Sequence, residues 1–437
     1  MLRMSTFTRG GVHPQDKKEL SKGRAIEALP LPSVLVVPMS QHLGAPAKLI
    51  KAKGDAVVKG EKIGQAAGFV SADVHSPASG IITDVVQVRL ANGAVCEAAV
   101  IKTDEIQPEL FTKRYDWKSE SPSDLLAVIR DMGIVGMGGA TFPAHVKLAV
   151  PEGKKAEVLV INAVECEPYL TSDYRSVLER CDETLEGIMI LRHILSAPRV
   201  VIGIEANKMD AARLLEEHIA RLSLPVEVQP LKMKYPQGDE KQLLKAVTGK
   251  EVPSGGLPID IGAVVCNIGT VYAVYEAAVF RKPLIERIVT VSGEAVREPK
   301  NLLVPVGARI CDLIAFCGGY STDEPDKLIS GGPMMGFAFA LEETPVTKGT
   351  SGLLALPVMM AKDTMPCVSC GKCVEHCPMG LMPNKMFRNI KYGNYQAAMD
   401  YGLMDCKECG CCAFSCPSHI PLVQGFKLGK KMGRKAK

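Results

Sequence analysis

Three things are scarce in this 437-residue chain: aromatic residues at 5%, with a single tryptophan, histidine at eight, and long apolar runs. The most apolar windows, near Leu353–Met360 and Ala273–Phe280, fall far short of the about 20 residues a spanning helix needs. No segment is therefore expected to cross a membrane. The opening stretch MLRMSTFTRGGVHP has no apolar core of an export signal, so no export is expected. Without a basic, aromatic-studded face, nucleic-acid binding has little support and is not expected. Hydrophobic residues at 47% and charged residues at 23% exclude a disordered chain, and the length fits two to four domains.

Cysteine is abundant. Of fifteen, six are scattered (Cys96, Cys166, Cys181, Cys266, Cys311 and Cys317) and nine crowd between Cys367 and Cys416. A long chain without an export signal is no disulfide scaffold, so the cluster reads as metal ligation. Charge is also uneven. Lys427, Lys430, Lys431, Arg434, Lys435 and Lys437 stand in the last eleven residues, and removing these six from the formal +4 leaves −2. Such a tail is either a frayed solubilising end or a patch for an anionic lipid surface or acidic partner.

Residues 34–102 alternate apolar and polar residues between Gly54, Gly60, Gly64, Gly68 and Gly80, which predicts a small β-sandwich or flattened barrel. A helix is expected over Asp124–Met132. Strands are expected at 157–164, 198–205, 225–231 and 263–266, with helices at 211–221, 240–247 and 271–280 between and after them. That alternation implies an α/β domain with a largely parallel sheet over about 120–280. Residues 285–330 read as two strands and a helix at Ala308–Phe316, a small α+β module. Residues 331–363 read as a Gly- and Pro-rich connection, and helices are expected at Pro383–Ile390 and Tyr395–Tyr401.

The cysteine cluster repeats one pattern: Cys367-x2-Cys370-x2-Cys373-x3-Cys377-Pro378, then Cys406-x2-Cys409-x2-Cys412-x3-Cys416-Pro417. This is the two-cluster ferredoxin spacing, in which each loop supplies three thiolates to one [4Fe–4S] cube and its Cys-Pro supplies the fourth to the other. The expected sets are Cys367, Cys370, Cys373 and Cys416 for one cluster, and Cys406, Cys409, Cys412 and Cys377 for the other. Zinc also binds paired CxxC motifs, but needs neither the third cysteine nor the Cys-Pro. Cys411, inside the second loop, is expected to be a neighbour; exchange of its role with Cys412 stays open. With little polar bulk nearby, backbone N–H groups are expected to supply most hydrogen bonds to sulfur.

A glycine-rich loop, Gly133-Ile-Val-Gly136-Met-Gly138-Gly139-Ala-Thr141-Phe142-Pro143, precedes Lys147. It is either a turn or a cradle whose backbone approaches a phosphate or a flat ring. The strand at 157–164 ends in Asn162-Ala-Val-Glu165-Cys-Glu167-Pro, followed by Asp173 and Arg175, where an α/β sheet binds ligands; a polar helix-capping loop is the alternative. Tyr235-Pro-Gln-Gly238-Asp-Glu240 and Cys266-Asn267-Ile-Gly-Thr270 end or follow two further strands. A flavin would explain these segments together, because it exchanges electron pairs on one side and single electrons on the other, as iron–sulfur clusters require.

These segments resemble the flavin- and NADH-binding subunit of respiratory complex I. Together with the paired ferredoxin motifs and the lead-in Phe7-Thr8-Arg9-Gly10-Gly11-Val12-His13-Pro14, the chain from about residue 6 to 425 resembles the RnfC (RsxC) family, the C subunits of Rnf ion-translocating electron transport complexes. The resemblance implies a multidomain α/β protein. Its parts would be an N-terminal β barrel–sandwich hybrid (1–115), a complex-I-like FMN/NADH-binding α/β domain (116–284), a β-grasp, SLBB-like module (285–330), a linker (331–363), a ferredoxin-like domain with two [4Fe–4S] clusters (364–425) and a basic tail (426–437). It implies FMN, NAD(H) and two [4Fe–4S] clusters as cofactors. Hydride would pass between cofactors with no dedicated catalytic acid or base. Implied partners are the other subunits of a membrane complex, a ferredoxin-like B subunit among them, and ferredoxin. The implied place is peripheral, on the cytoplasmic face of the membrane, with Na⁺ or H⁺ movement belonging to the whole complex. By the same resemblance Gly136, Gly138, Gly139 and Lys147 would hold the FMN phosphate region with Thr270 near it, and Asn162, Glu165 and Asn267 would contact FMN. Phe142, Glu167 and Glu240 would lie near the nicotinamide nucleotide, with Tyr235 and Gly238 in the same site. The complex I pattern has arginines where this chain has Val135 and Met137, an Asp at Val164 and a Gly at Cys166. A freestanding flavin oxidoreductase and a non-catalytic electron-carrying scaffold are the alternatives.

Overall fold

The computed structural model describes residues 4–322, 325, 327–358 and 362–435; Lys437 of the basic tail and the side chain of Lys435 lie outside the described residues. Among these residues no helix is long and apolar enough to cross a membrane.

The centre is a four-stranded parallel sheet in the order Glu227–Leu231, Arg199–Glu205, Val158–Ala163, Ala263–Asn267. Its inner strands are nearly continuous apolar runs because both faces are covered. Helices Cys181–Leu195 and Ile268–Phe280 pack on one face, where Gly187 lets the backbones approach: a Cβ there would stand 2.4 Å from the carbonyl oxygen of Val271. Helix Glu240–Thr248 covers the other face, capped by the Asp239 side chain, which accepts from the N–H groups of Lys241 and Gln242. The helix expected from Val271 starts at Ile268, because the Asn267 side chain accepts the Gly269 N–H at 2.9 Å and caps the chain there. Helices Ser172–Glu179 and Cys181–Leu195 add to those expected from the sequence.

Two small antiparallel sheets form the N-terminal barrel region: Val34–Pro38, Val95–Thr103, Gly80–Arg89 and Ala56–Val57 in one, and Lys48–Leu49, Lys62–Gln65 and Val74–His75 in the other. A third sheet runs Ile26–Ala28, Lys300–Pro305, Glu286–Ser292, Gly352–Leu356, Lys327–Ser330, Phe337–Phe339. It corrects the reading of 331–363 as a connection. Gly352–Leu356 is wholly buried and lies between Glu286–Ser292 and Lys327–Ser330. Its Gly- and Pro-rich flanks disguised a short central strand with no alternation to read. Ile26–Ala28 belongs to this sheet and not to the barrel. Barrel and β-grasp share one core, in which Leu35, Val37, Ile63 and Ile82 meet Val289, Val291, Leu302 and Val304.

The cysteine domain holds helices Pro383–Lys391 and Tyr395–Asp400 between its two loops, as expected, and a third, Leu422–Lys435, after them. This helix corrects the boundary that set a basic tail apart from residue 426, since up to Lys435 the segment continues a helix of the cysteine domain. Leu422 and Phe426 are buried in the domain core. Lys430 donates to the Cys406 carbonyl and pairs with Glu408, both at 2.7 Å, and Lys427 lies over the Phe337 ring. Truncation of Phe426 to Ala should cost about 3–5 kcal/mol of local stability. It should show as a lower unfolding temperature of the cysteine domain by calorimetry, with the transition of the α/β domain unchanged.

Candidate functional site

In the parallel sheet the chain runs outward from Val158–Ala163 to one side, then returns to place Ala263–Asn267 on the other. The crevice beyond the C-terminal ends of these two strands is the switch point where open α/β sheets bind ligands. Asn162, next to last in its strand, and Asn267, last in its own, are direct register partners. Over Asn267 lies the glycine-rich loop. A Cβ on Gly138 would sit 3.2 Å from Asn267 Cβ, and the Met137 N–H donates to Thr270 Oγ1 at 2.8 Å. The Gly136 N–H donates to the Phe142 carbonyl at 2.8 Å, folding the loop back on itself. Gly138, Gly139 and Ala140 face solvent, and Gly139 sits at φ +123 with open space where a Cβ would be. Exposed glycine backbone beside the first turn of the thirteen-residue helix Ile268–Phe280 suits a phosphate.

Lys147 stands nearby, paired to Glu240 Oε1 at 2.6 Å; both also bear on Cys266 at the end of its strand. Asn162 donates through Nδ2 to the Gly238 carbonyl at 2.9 Å, and the Gly238 N–H donates to Cys166 Sγ at 3.3 Å. The two segments named from the sequence are thus joined directly. Glu165 is used differently: its carboxylate accepts the N–H groups of Asp173 (2.8 Å) and Tyr174 (3.3 Å), holding the start of helix Ser172–Glu179. Asp173 is the residue whose part the sequence did not convey. It accepts Asn267 Nδ2 at 2.6 Å, and burial together with Glu165 pushes its pKa well up. Its place eight residues after Glu165, in the same polar stretch that follows the strand, was the available signal.

Glu167 and Tyr235 form a second group, toward the cysteine domain. Tyr235 is buried and its hydroxyl lies 2.8 Å from the Cys409 carbonyl, to which it donates, and 3.3 Å from Glu167 Oε1. Glu167 also accepts the Met334 N–H, and Lys18 donates to its carbonyl. Burial raises the Glu167 carboxyl from near 4.5 to about 7.

The two cysteine loops have one backbone conformation. Ser369 and Glu408 both sit at φ +57, and Gly371 and Gly410 at +78 and +82, each opening a one-turn helix. Cys377, Cys406, Cys409, Cys411 and Cys412 line one cavity, closed by Met386, Val423 and Phe426. Burial raises the Cys412 thiol, and Cys409, Cys406 and Cys377 add to it. Cys373, raised by burial, has Cys416, Cys367 and Cys370 as its thiol neighbours. The crossed sets expected from the spacing are therefore the groups that come together, and four thiols around an apolar-walled cavity fit a [4Fe–4S] cube. The Leu381 N–H donates to Cys377 Sγ and the Glu408 N–H to Cys406 Sγ, both at 3.4 Å, in line with backbone donors to sulfur. Cys411 is fully buried and its Sγ lies 3.9 Å from the Tyr235 carbonyl, turned toward the α/β domain. Among the described residues no three His, Cys, Asp or Glu side chains are gathered tightly enough for one metal ion.

A flavin-type crevice at a sheet switch point and a two-cluster cysteine domain bonded to its wall define a modular flavin and iron–sulfur electron-transfer protein. Residues 129–276 match the Nuo51 FMN-binding domain, 6–106 the RnfC barrel sandwich hybrid domain, 288–338 the SLBB domain and 359–420 the 4Fe-4S dicluster domain. The chain is 45% identical over 91% of its length to the C subunit of the proton-translocating ferredoxin:NAD(+) oxidoreductase complex of Clostridium ljungdahlii, covering 87% of that protein. It is 41% identical over 97% of its length to the C subunit of the ion-translocating oxidoreductase complex of Rhodobacter capsulatus, covering 82% of it. With the C subunit of the Na(+)-translocating ferredoxin:NAD(+) oxidoreductase complex of Acetobacterium woodii it shares 40% identity over 87% of its length and 86% of that protein. The chain belongs to this family of C subunits, the RnfC family. Its fold is also similar to that of a chain in an NAD+-reducing [NiFe]-hydrogenase, with a TM-score of 0.53 and 18% identity over 74% of this chain and 63% of that one.

Two outcomes check the site. Cys409→Ser should lower iron from about eight to about four atoms per chain, whereas Cys411→Ser should keep about eight, measured on anaerobically purified protein. The raised Glu167 carboxyl keeps its proton in the folded chain at pH values where the unfolded chain has lost it. Stability should thus fall as pH rises from about 4.5 through about 7 and then level off. Glu167→Gln should flatten that part of the melting-temperature profile.

Proposed function

We propose that this chain is the NADH-, FMN- and iron–sulfur-binding subunit of a membrane-bound ferredoxin:NAD oxidoreductase complex of Rnf type, an ion-translocating assembly in which it serves as a redox module. The observation that carries this reading is the Tyr235 hydroxyl on the Cys409 carbonyl: one buried side chain joins the wall of the nucleotide crevice to a cluster loop. In the reading, Gly138 and Gly139 present backbone to the FMN phosphate, Gly136 shapes the loop through its bond to Phe142, and Lys147 and the helix start at Thr270 stand beside them. Asn162 and Asn267 form the floor of the crevice, and Glu165 keeps its wall in place through Asp173. Phe142, Glu167 and Glu240 border the nicotinamide side, with Tyr235 and Gly238 closing the end toward the clusters. Bound FMN would supply the exchange between the electron pair of NAD(H) and single electrons. The protein's own part is to position and to exclude water, and no side chain is assigned as catalytic acid or base.

The burial of the cysteines supports an order for the relay. The cluster of Cys377, Cys406, Cys409 and Cys412 lies inward, three of its four cysteines buried, whereas Cys367 and Cys370 of the other are exposed beside exposed Met365 and Val368. Cys377, Cys406, Cys409 and Cys412 would hold the cluster on the side of the flavin crevice, and Cys367, Cys370, Cys373 and Cys416 the one on the side open to a partner protein of the complex, such as a ferredoxin-like B subunit, and through it to ferredoxin. The chain would sit peripherally on the cytoplasmic face of the membrane, and the coupling of electron flow to H⁺ or Na⁺ movement would reside in the whole complex.

Anaerobic purification with joint quantification of iron and flavin tests the reading. About eight irons and about one FMN per chain are expected, and added NADH should bleach the flavin absorbance. Iron-loaded, flavin-free protein that ignores both added FMN and NADH would remove the enzymatic assignment. Turnover of NADH with ferredoxin by the isolated chain at the rate of the complex would favour a freestanding enzyme.

A further inference from the structure

The glycine-rich loop is held from outside its own domain. At its start, the Lys348 ammonium donates to the Gly133 carbonyl and to the Asp73 carbonyl, each at 2.7 Å. Lys348 belongs to the segment between the strands Phe337–Phe339 and Gly352–Leu356, and Asp73 to the barrel region. At the loop's end, the Leu43 N–H, also from the barrel, donates to the Thr141 carbonyl at 3.1 Å. Gly349 packs on the same residue so closely that a Cβ would stand 2.6 Å from Thr141 Cγ2.

Lys348 has little freedom. It is 1% exposed, its N–H donates to Gln41 Oε1 at 3.1 Å, and its carbonyl accepts from the Arg287 guanidinium. Among the described residues no carboxylate receives its ammonium: the Asp73 side chain is paired with Lys62 at 2.5 Å and accepts the Ala66 N–H. Burial pushes the Lys348 pKa down to about 7. The loop's first residue has no slack either, since Gly133 sits at φ +61 and a Cβ there would meet Asp73 O at 2.3 Å and Lys348 Nζ at 2.8 Å. A desolvated lysine joining two carbonyls is a costly tether where an apolar contact would serve mere packing. What it adds is direction: two hydrogen bonds fix where the loop begins.

We propose that Lys348 and the Leu43–Thr141 contact are a two-point clamp by which the barrel and β-grasp modules set the conformation of the flavin loop, with Lys348 as a positioning residue for the FMN phosphate. The proposal rests on the reading of Gly133–Thr141 as the flavin loop. A loop held in its bound shape loses less freedom on binding, so the clamp should appear as flavin affinity.

The test uses the full chain with both clusters, deflavinated and titrated with FMN by fluorescence quenching. Lys348→Met keeps the apolar stem and deletes both donors, and should raise the Kd for FMN by about tenfold or more. It should also shift the ³¹P resonance of bound FMN, while iron content stays at the wild-type value. Gly349→Ala, which pushes on the other end without touching the buried charge, should weaken FMN in the same direction, and it decides the matter should Lys348→Met not fold. Gly138→Val probes the underlying reading. If it weakens FMN but Lys348→Met and Gly349→Ala bind within about twofold of wild type, the clamp is overturned. If Gly138→Val also binds normally, the flavin-loop reading itself fails.

Discussion

One-electron exchange between a flavin and an iron–sulfur cluster requires the two to stand close and stay there, so the structure depends on how the cysteine domain is seated on the α/β domain. The bond from Tyr235 to Cys409 lies at the centre of that seat, in a small buried group with Val12 and Cys411. Around it the main chain pairs in both directions. Val12 and Tyr235 exchange N–H and carbonyl bonds at 2.9 Å, and the Gly11 N–H donates to the His376 carbonyl at 3.0 Å. Gly10 passes so near Cys377 that a Cβ there would stand 2.5 Å from its carbonyl carbon. The N-terminal segment is therefore the gasket between the domains, which gives a physical reason for the glycine pair in its lead-in.

The interior beneath this seat is unusually polar. Lys18, 5% exposed, donates to the carbonyls of Glu167 and Leu170, and Lys208 to that of Val164; Glu205 is buried beside them. Burial and the nearby Lys208 press Lys18 down to about 8, while burial raises Glu167 and Asp173. Each of these groups holds a loop end at the edge of the sheet, and a charge left unpartnered here would be expensive. The cost is tolerable because the loops they hold form the crevice walls, where precise placement matters more than maximal stability.

Much of this was legible in the chain. The crossed grouping of the cysteines could be expected from spacing, because a cube needs three thiolates from one tight loop and a fourth from elsewhere. The parallel sheet follows from apolar runs alternating with helix-period segments. Asn162, Gly238, Asn267 and the glycine loop could be named because polar residues at strand ends stand out against such runs. Other features could not be read. Gly352–Leu356 hides as an isolated apolar run, helices Ser172–Glu179 and Cys181–Leu195 abut without a turn signal, and the tail helix looks like a charge run until Leu422 and Phe426 are seen packed.

By itself the amino-acid order determined the chemistry available: two repeats of one four-cysteine pattern, a flexible glycine backbone, and carboxyl and amide groups at the ends of buried strands. Those are local properties of spacing and periodicity. Only the tertiary structure decided which cluster lies inward, that Glu165 serves a helix start, and that Lys348 reaches Gly133 from more than two hundred residues away. Such contacts depend on where separate modules dock, and docking is set by shape and burial across surfaces distant in the chain, for which no local pattern exists.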